Sequence, residues 1–261
     1  MTSTRQDWEF YLREVDGEPV SICLDLALAA KAPLESRPYM AYVRVLMRTP
    51  RPDGLSSSEE YDRLIQLEDH ITAALTRSAR ARYVGRNTSG GSRDFYFYVS
   101  DPVLWAKRVA KAFDAFPEYK HKAGSRRDIR WKTYLEFLYP CGEDMERIQN
   151  RRVCDALRDS GDTLSKRRDI DHWASFPDQK SRARFLRSVT RQGFKVRELL
   201  DSGDRQQPYG VQLFRADLPS HEAIDAVTLP LFRAAEKVGG DYSGWETQLI
   251  TKARRRRKAR K

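Results

Sequence analysis

The segment RDIDHW sets Asp169, Asp171 and His172 within four residues, which are the donor types of a metal site. The neighbouring residues alternate as a strand does. Asp169 and Asp171 therefore share one face and His172 takes the other, so the three do not converge on one ion and no metal is expected. His70 and His121 have no Ser, Cys or carboxylate at a spacing that would make a nucleophile and base, and each reads as a surface or internally bonded histidine. Glu59, Glu60 and Asp94 are the carboxylates that an unrecognised acid–base site in the first half would use. In GRNTSGGS, Gly85 and Gly90 have the spacing of a phosphate loop, but the lysine is missing and the segment joins strand to strand, so it reads as a hairpin. Cys23, Cys141 and Cys154 are odd in number and follow no ligand spacing, against both a disulfide framework and a structural zinc site. No catalytic, cofactor-binding or metal residue is assigned, and the chain is expected not to be an enzyme.

Binding chemistry is better represented. DFYFYV alternates Phe95 and Phe97 with Tyr96 and Tyr98, giving one apolar and one phenolic face, with Arg82, Arg86 and Arg93 nearby in sequence. Two readings stay open: packing within or between domains, or stacking of RNA bases. The formal net charge is +11 over 261 residues, and the run KARRRRKARK at 252–261 supplies eight Lys/Arg and no acid. Residues 1–141 hold 22 Lys/Arg against 19 Asp/Glu, and 142–251 hold 18 of each. The basicity is thus expected in the tail and not in the folded body. Lys252, Arg254, Arg255, Arg256, Arg257 and Lys258 are the candidate contacts to nucleic acid or to an acidic partner, on a tail expected to be disordered.

These residues need elements to hold them. Period-two patterns predict strands at Trp8–Leu12, in PVSICLDLAL and in YMAYVRVLMR, the first of them with Trp8, Phe10 and Leu12 on one face. Ser56 and Ser57, each with a glutamate three positions on, predict a helix start, with Tyr61, Leu64, Leu67, Ile71 and Leu75 on its buried face. A strand pair follows around Ser89–Gly91. Asp101 and Pro102 then open a helix bearing Trp105, Val109, Phe113 and Phe116, and further strands are expected around Tyr119 and from Lys132 to Tyr139. After a leading helix from Gly142, the second half repeats strand, helix, strand, strand, helix, strand. Its last helix meets Pro230, where a kink or late start is expected. In VGGDYSGWETQL, Gly239 and Gly240 end that helix, and Trp245, Thr247 and Leu249 form one face of a closing strand in which Trp245 is structural.

RDIDHW, GFKV and EAIDAVTLPLFRAAEKVGGDYSGWET together resemble the regulator of ribonuclease E activity B family, with Ile224, Asp225, Gly239, Tyr242, Gly244 and Trp245 at that family's helix-to-strand ending. SICLDL, DGLSSSEE, LEDHI, YVGRNTSGGSRDFYFYVSD and WKTYLEFLYP are similar to the domain of unknown function 695 family, which has no assigned activity. The first resemblance implies a protein that binds ribonuclease E and inhibits it. Members of that family are strongly acidic, which suits an arginine-rich partner, whereas residues 142–251 here sum to zero.

The expected architecture is α+β: two ferredoxin-like, split βαβ domains in tandem, at residues 1–140 and 141–250, the first with extra N-terminal strands, then the basic tail at 251–261. The start MTSTRQDWEF lacks a signal-peptide pattern, and Asp25 and Lys31 break the most apolar stretch, so a cytoplasmic protein without a membrane span is expected. The expected function is regulation of RNA turnover through binding of a ribonuclease or its assembly. The alternatives are a direct RNA-binding module using the tail and the aromatic strand, and an enzyme with its site in the first half.

Overall fold

The computed structural model describes residues 6–77, 80–201 and 206–251; the six basic tail residues named above lie outside the described residues. The chain divides into two compact units, Met1–Asp144 and Met145–Lys261, each built on its own antiparallel sheet. The fold class is mixed α+β.

The first unit runs β1 (Trp8–Val15), β2 (Glu18–Asp25), β3 (Tyr39–Leu46), α1 (Ser58–Thr76), β4 (Ala81–Ser89), β5 (Ser92–Val99), α2 (Pro102–Ala112) and β6 (His121–Arg127), with sheet order β1-β2-β4-β5-β3-β6. The helix starts are dictated locally. Ser57 Oγ accepts the Glu60 N–H at 3.3 Å, and Asp101 Oδ1 accepts the N–H groups of Val103 and Leu104 at 3.0 and 2.9 Å. Leu64, Leu67, Ile71 and Leu75 from α1 and Trp105 and Val109 from α2 then bury against Ala41, Val43, Val45, Phe95 and Phe97. Tyr61, expected on the α1 stripe, is 47% exposed.

Two expectations for this unit are corrected. Thr133–Leu138 is a π-helical turn and not a strand, because Asp128 accepts the N–H groups of Lys132 and Thr133 at 2.9 and 3.0 Å and so opens a helical turn. The second strand stops at Asp25, whose side chain accepts the Ala27 N–H at 3.2 Å and caps the 3₁₀ turn Leu26–Ala30. The strand expected at Trp8–Leu12 forms as β1, and its inward residue is Tyr11, which is buried and donates to the Leu138 carbonyl at 2.9 Å, while Trp8, Phe10 and Leu12 are 37%, 50% and 55% exposed.

After α3 (Glu143–Asp159), the second unit runs β7 (Arg168–Phe176), α4 (Gln179–Thr190), β8 (Lys195–Asp201), β9 (Tyr209–Asp217), α5 (His221–Glu236) and β10 (Asp241–Thr247), with order β10-β7-β9-β8. Every neighbouring pair is antiparallel. Alternate β7 residues Ile170, His172, Ala174 and Phe176 are buried, and Ala174 and Phe176 share a core with Phe185, Val189, Val227 and Leu231 from α4 and α5. Helix α5 begins at His221 and continues through Pro230, so there is no late start. No helix among the described residues is long and apolar enough to cross a membrane.

Candidate functional site

The C-terminal segment singled out from the sequence builds the interior of the second unit. Trp245 is 7% exposed, clusters with Cys154, Leu164, Ile170 and Ile224, and donates its indole N–H to Asn150 Oδ1 at 2.7 Å. Asn150 in turn donates to Asp225 Oδ1 and Thr228 Oγ1, each at 2.7 Å, so one buried amide ties α3 to both α5 and β10. The chain must pass hard against Phe176 to enter β10: a Cβ on Gly240 would lie 2.3 Å from that ring, which only glycine avoids. Two residues on, the Tyr242 hydroxyl meets His172 Nδ1 at 2.8 Å. His172 is 1% exposed, its Nε2 makes no hydrogen bond among the described residues, and burial lowers its pKa to about 4. These residues hold the fold from inside, beneath the outer surface.

That surface includes the sheet face away from α4 and α5. As the alternation requires, Asp169 and Asp171 face outward while His172 faces in, and Arg197 pairs with Asp171 at 2.6 Å and with Asp169 at 3.5 Å. Directly paired residues share a face, which adds Trp173 opposite Gln212, Phe214 opposite Asp171 and Lys195, Glu198 opposite Gln212, and Glu246 opposite Asp171. The Arg197 guanidinium sits 4.1 Å from the Phe214 ring centroid. Asp169, Asp171, Arg197 and Gln212 help line a concavity of about 480 Å³. Four carboxylates against Lys195 and Arg197 make the face acidic, although the half as a whole sums to zero. The sequence missed this because the sign belongs to one face and not to the segment.

In the first unit, the carboxylates weighed for acid–base chemistry do not meet. Glu60 accepts the N–H groups of Arg48 and Thr49 at 2.9 and 2.8 Å; burial works against its charge, but these bonds prevail and hold its pKa below the usual carboxylate range. Asp94 binds Arg44 through two bonds of 2.8 and 2.6 Å, and Glu59 is exposed. The phenolic face of β5 packs inward: Tyr98 is fully buried, stacks on Trp131 with centroids 3.9 Å apart, and donates to Asp128 at 2.6 Å, while Tyr96 meets Phe137 edge-on. The turn Thr133–Leu138 and its approach supply that cover, so the β5 tyrosines have no free ring face for bases. Gly90 and Gly91 form the hairpin turn between β4 and β5. His70 and His121 are exposed beside Phe116 and Phe113.

A larger groove, about 780 Å³, is lined by Trp8, Cys23, Arg37, Glu68, Tyr83 and Arg86 among others. Glu68 accepts from Arg86 at 2.7 Å and from the Tyr83 hydroxyl at 2.8 Å, so its oxygens are committed. Burial pushes the Cys23 thiol up, which keeps it protonated and poorly nucleophilic at neutral pH. No group of three or more His, Cys, Asp or Glu able to hold a metal ion occurs among the described residues.

The family model described as a family of unknown function, DUF695, matches residues 6–139, and that of the regulator of ribonuclease activity B matches residues 147–247. Both resemblances drawn from the sequence are thereby met. No curated protein matches the chain. Among solved structures the chain is similar to an unknown protein from Galdieria sulphuraria, at 12% identity over 80% of this chain and 97% of that one, with a TM-score of 0.22, too weak to bear on fold or function.

Proposed function

The chain belongs to the family of unknown function DUF695, and we propose that it is a non-catalytic cytoplasmic regulator that binds a ribonuclease, or the assembly that carries one, and lowers the rate of RNA turnover. The observation that carries this reading is the match of residues 147–247 to the regulator of ribonuclease activity B. Ile224, Tyr242 and Trp245 of that match are buried scaffold, whereas Asp169, Asp171 and Trp173 stand on the open sheet face, which supports that face as the contact surface. Trp173, Phe214 and Arg197 are residue types that dominate protein interfaces, and the surrounding carboxylates would complement a basic partner segment. The split βαβ order of β7 to β10, repeated by β3 to β6, supports a ferredoxin-like assignment for both units.

The test is cleavage of a labelled RNA by a purified ribonuclease of the E type with its scaffold region, titrated with the full chain. The expected result is a saturable fall in rate, with the chain alone leaving the RNA intact. Trp173→Ala with Phe214→Ala should raise the half-inhibitory concentration at least tenfold. An unchanged rate at saturation, or RNA cleavage by the chain alone, would overturn the proposal.

A further inference from the structure

The near-neutral sum of the first half conceals a concentrated patch. Residues 119–132, YKHKAGSRRDIRWK, hold six Lys/Arg and one carboxylate. That carboxylate, Asp128, is 8% exposed and already occupied by Tyr98, Lys132 and Thr133. The patch lies along β6, which among the described residues pairs only with β3 and leaves its other edge open. Every β6 residue except Gly124 is exposed. Lys120, Lys122, Arg127 and Arg130 have no carboxylate partner among the described residues. A lysine or two on an edge strand guards against edge-to-edge association. The remaining excess calls for another reason.

That reason lies beside the strand. The sheet face away from α1 and α2 carries a groove of about 570 Å³, lined by Tyr42, Tyr96, Arg126 and Phe137 among others, with Asp94 and Glu136 also in its lining but paired with Arg44 and Lys132. Pairing places Lys122 opposite Arg44, Gly124 opposite Tyr42 and Arg126 opposite Met40, so Lys122 and Arg126 share this face with the groove. A Cβ on Gly124 would lie 2.8 Å from the Tyr42 ring, so glycine there lets the half-buried Tyr42 reach across to β6. Alternate residues on a strand are about 6.6–6.8 Å apart. Cations therefore recur along one side of a groove whose lining includes the half-buried Tyr42 ring, which is the combination that holds single strands.

We infer that the β6 edge and its groove form a binding site for single-stranded RNA, with Lys120, Lys122 and Arg126 on phosphates and Tyr42 against a base. This stands independently of the partner-binding proposal, since it uses the first unit and needs no ribonuclease. An acidic protein surface would be drawn by the charge but has no use for the aromatic ring.

The test is anisotropy of a labelled, unstructured 15-nucleotide RNA with the full chain across a salt series. Three phosphate contacts give log K a slope against log salt of about −2.1. Lys120→Ala and Lys122→Ala together should flatten it by about 1.4 and weaken binding more than tenfold at low salt, with the melting temperature unchanged because the two are exposed. Tyr42→Ala should weaken binding about tenfold while leaving the slope in place. The same series is run with Arg254 to Arg257 replaced by alanine. Persistence of the β6-dependent slope in that background supports the site. Loss of all binding with the tail arginines, equal affinity for duplex RNA, or binding of polyglutamate but not of RNA would each overturn it.

Discussion

Lowering the pH should loosen the second unit through a single imidazole. His172 is neutral and buried, with a folded pKa of about 4 against an ordinary 6.5, chiefly because burial disfavours the cation; the Arg215 charge adds to this, and Asp217 and Asp171 oppose it. Below 6.5 the unfolded chain takes up a proton that the folded chain refuses. The stability held above that value is therefore lost as the pH falls toward 4. The full gap corresponds to about 3.4 kcal/mol, of which about 2.5 falls between pH 7.5 and 4.5. Glu146 works in the opposite sense. Burial pushes its carboxyl up to about 7, so its charged form weakens the fold at neutral pH and its protonation restores stability as the pH drops. Because Glu146 is only partly buried, solvent screening cuts its contribution to a fraction of the nominal value. Glu146→Gln removes this opposing term. In that background, hydrogen exchange of β7 and β10 amides should report an opening free energy that falls by about 2.5 kcal/mol from pH 7.5 to 4.5. The carboxylates held below 3.8 in this unit, Asp162 and Asp178, titrate outside the window. A flat opening free energy, or an imidazole seen by NMR to titrate near 6.5, would refute the reasoning.

Two further outcomes follow from the same contacts. Trp245→Ala should destabilise the second unit by about 3–5 kcal/mol, since it empties an aromatic site and strands the Asn150 carbonyl, whereas Trp245→Phe should cost only about 1–2 kcal/mol for the lost bond; urea unfolding distinguishes the two. Asp128→Ala leaves the Tyr98 hydroxyl and two backbone N–H groups without an acceptor, so the turn Thr133–Leu138 should exchange its amides faster, with about 3 kcal/mol lost from the first unit.

Local periodicity made the helix faces and most strands legible. Leu64 to Leu75 lie on the buried side of α1 as their spacing requires, the Asp101 cap forms, and Trp245 enters the core. What escaped was set by partners far away in the chain. Alternation correctly marks β1 as extended, yet which face turns inward depends on Tyr11 reaching the Leu138 carbonyl, 127 residues on. The aromatic run before Tyr139 has the composition of a strand, and Asp128 together with the Tyr134 bond to the Asp25 carbonyl makes it a turn over the sheet. That turn decides the fate of DFYFYV as well, because it covers the two tyrosines the sequence left open to bases.

Charge is the property that totals conceal most. A sum over 141 residues returns a small number whether cations and carboxylates alternate or segregate, and only the sheet shows that here they segregate. The edge beside β3 receives Lys120 to Lys132, while the outward side of β7 to β10 gathers Asp169, Asp171, Glu198 and Glu246. A phosphate backbone senses charge over about a Debye length of 8–10 Å, roughly the reach of three strand residues and far shorter than either unit. The RNA proposed for the first face and the basic protein segment proposed for the second would therefore meet patches of opposite charge. A near-neutral body, read from the sequence as a reason to place phosphate contacts in the tail, is compatible with two surfaces of opposite sign.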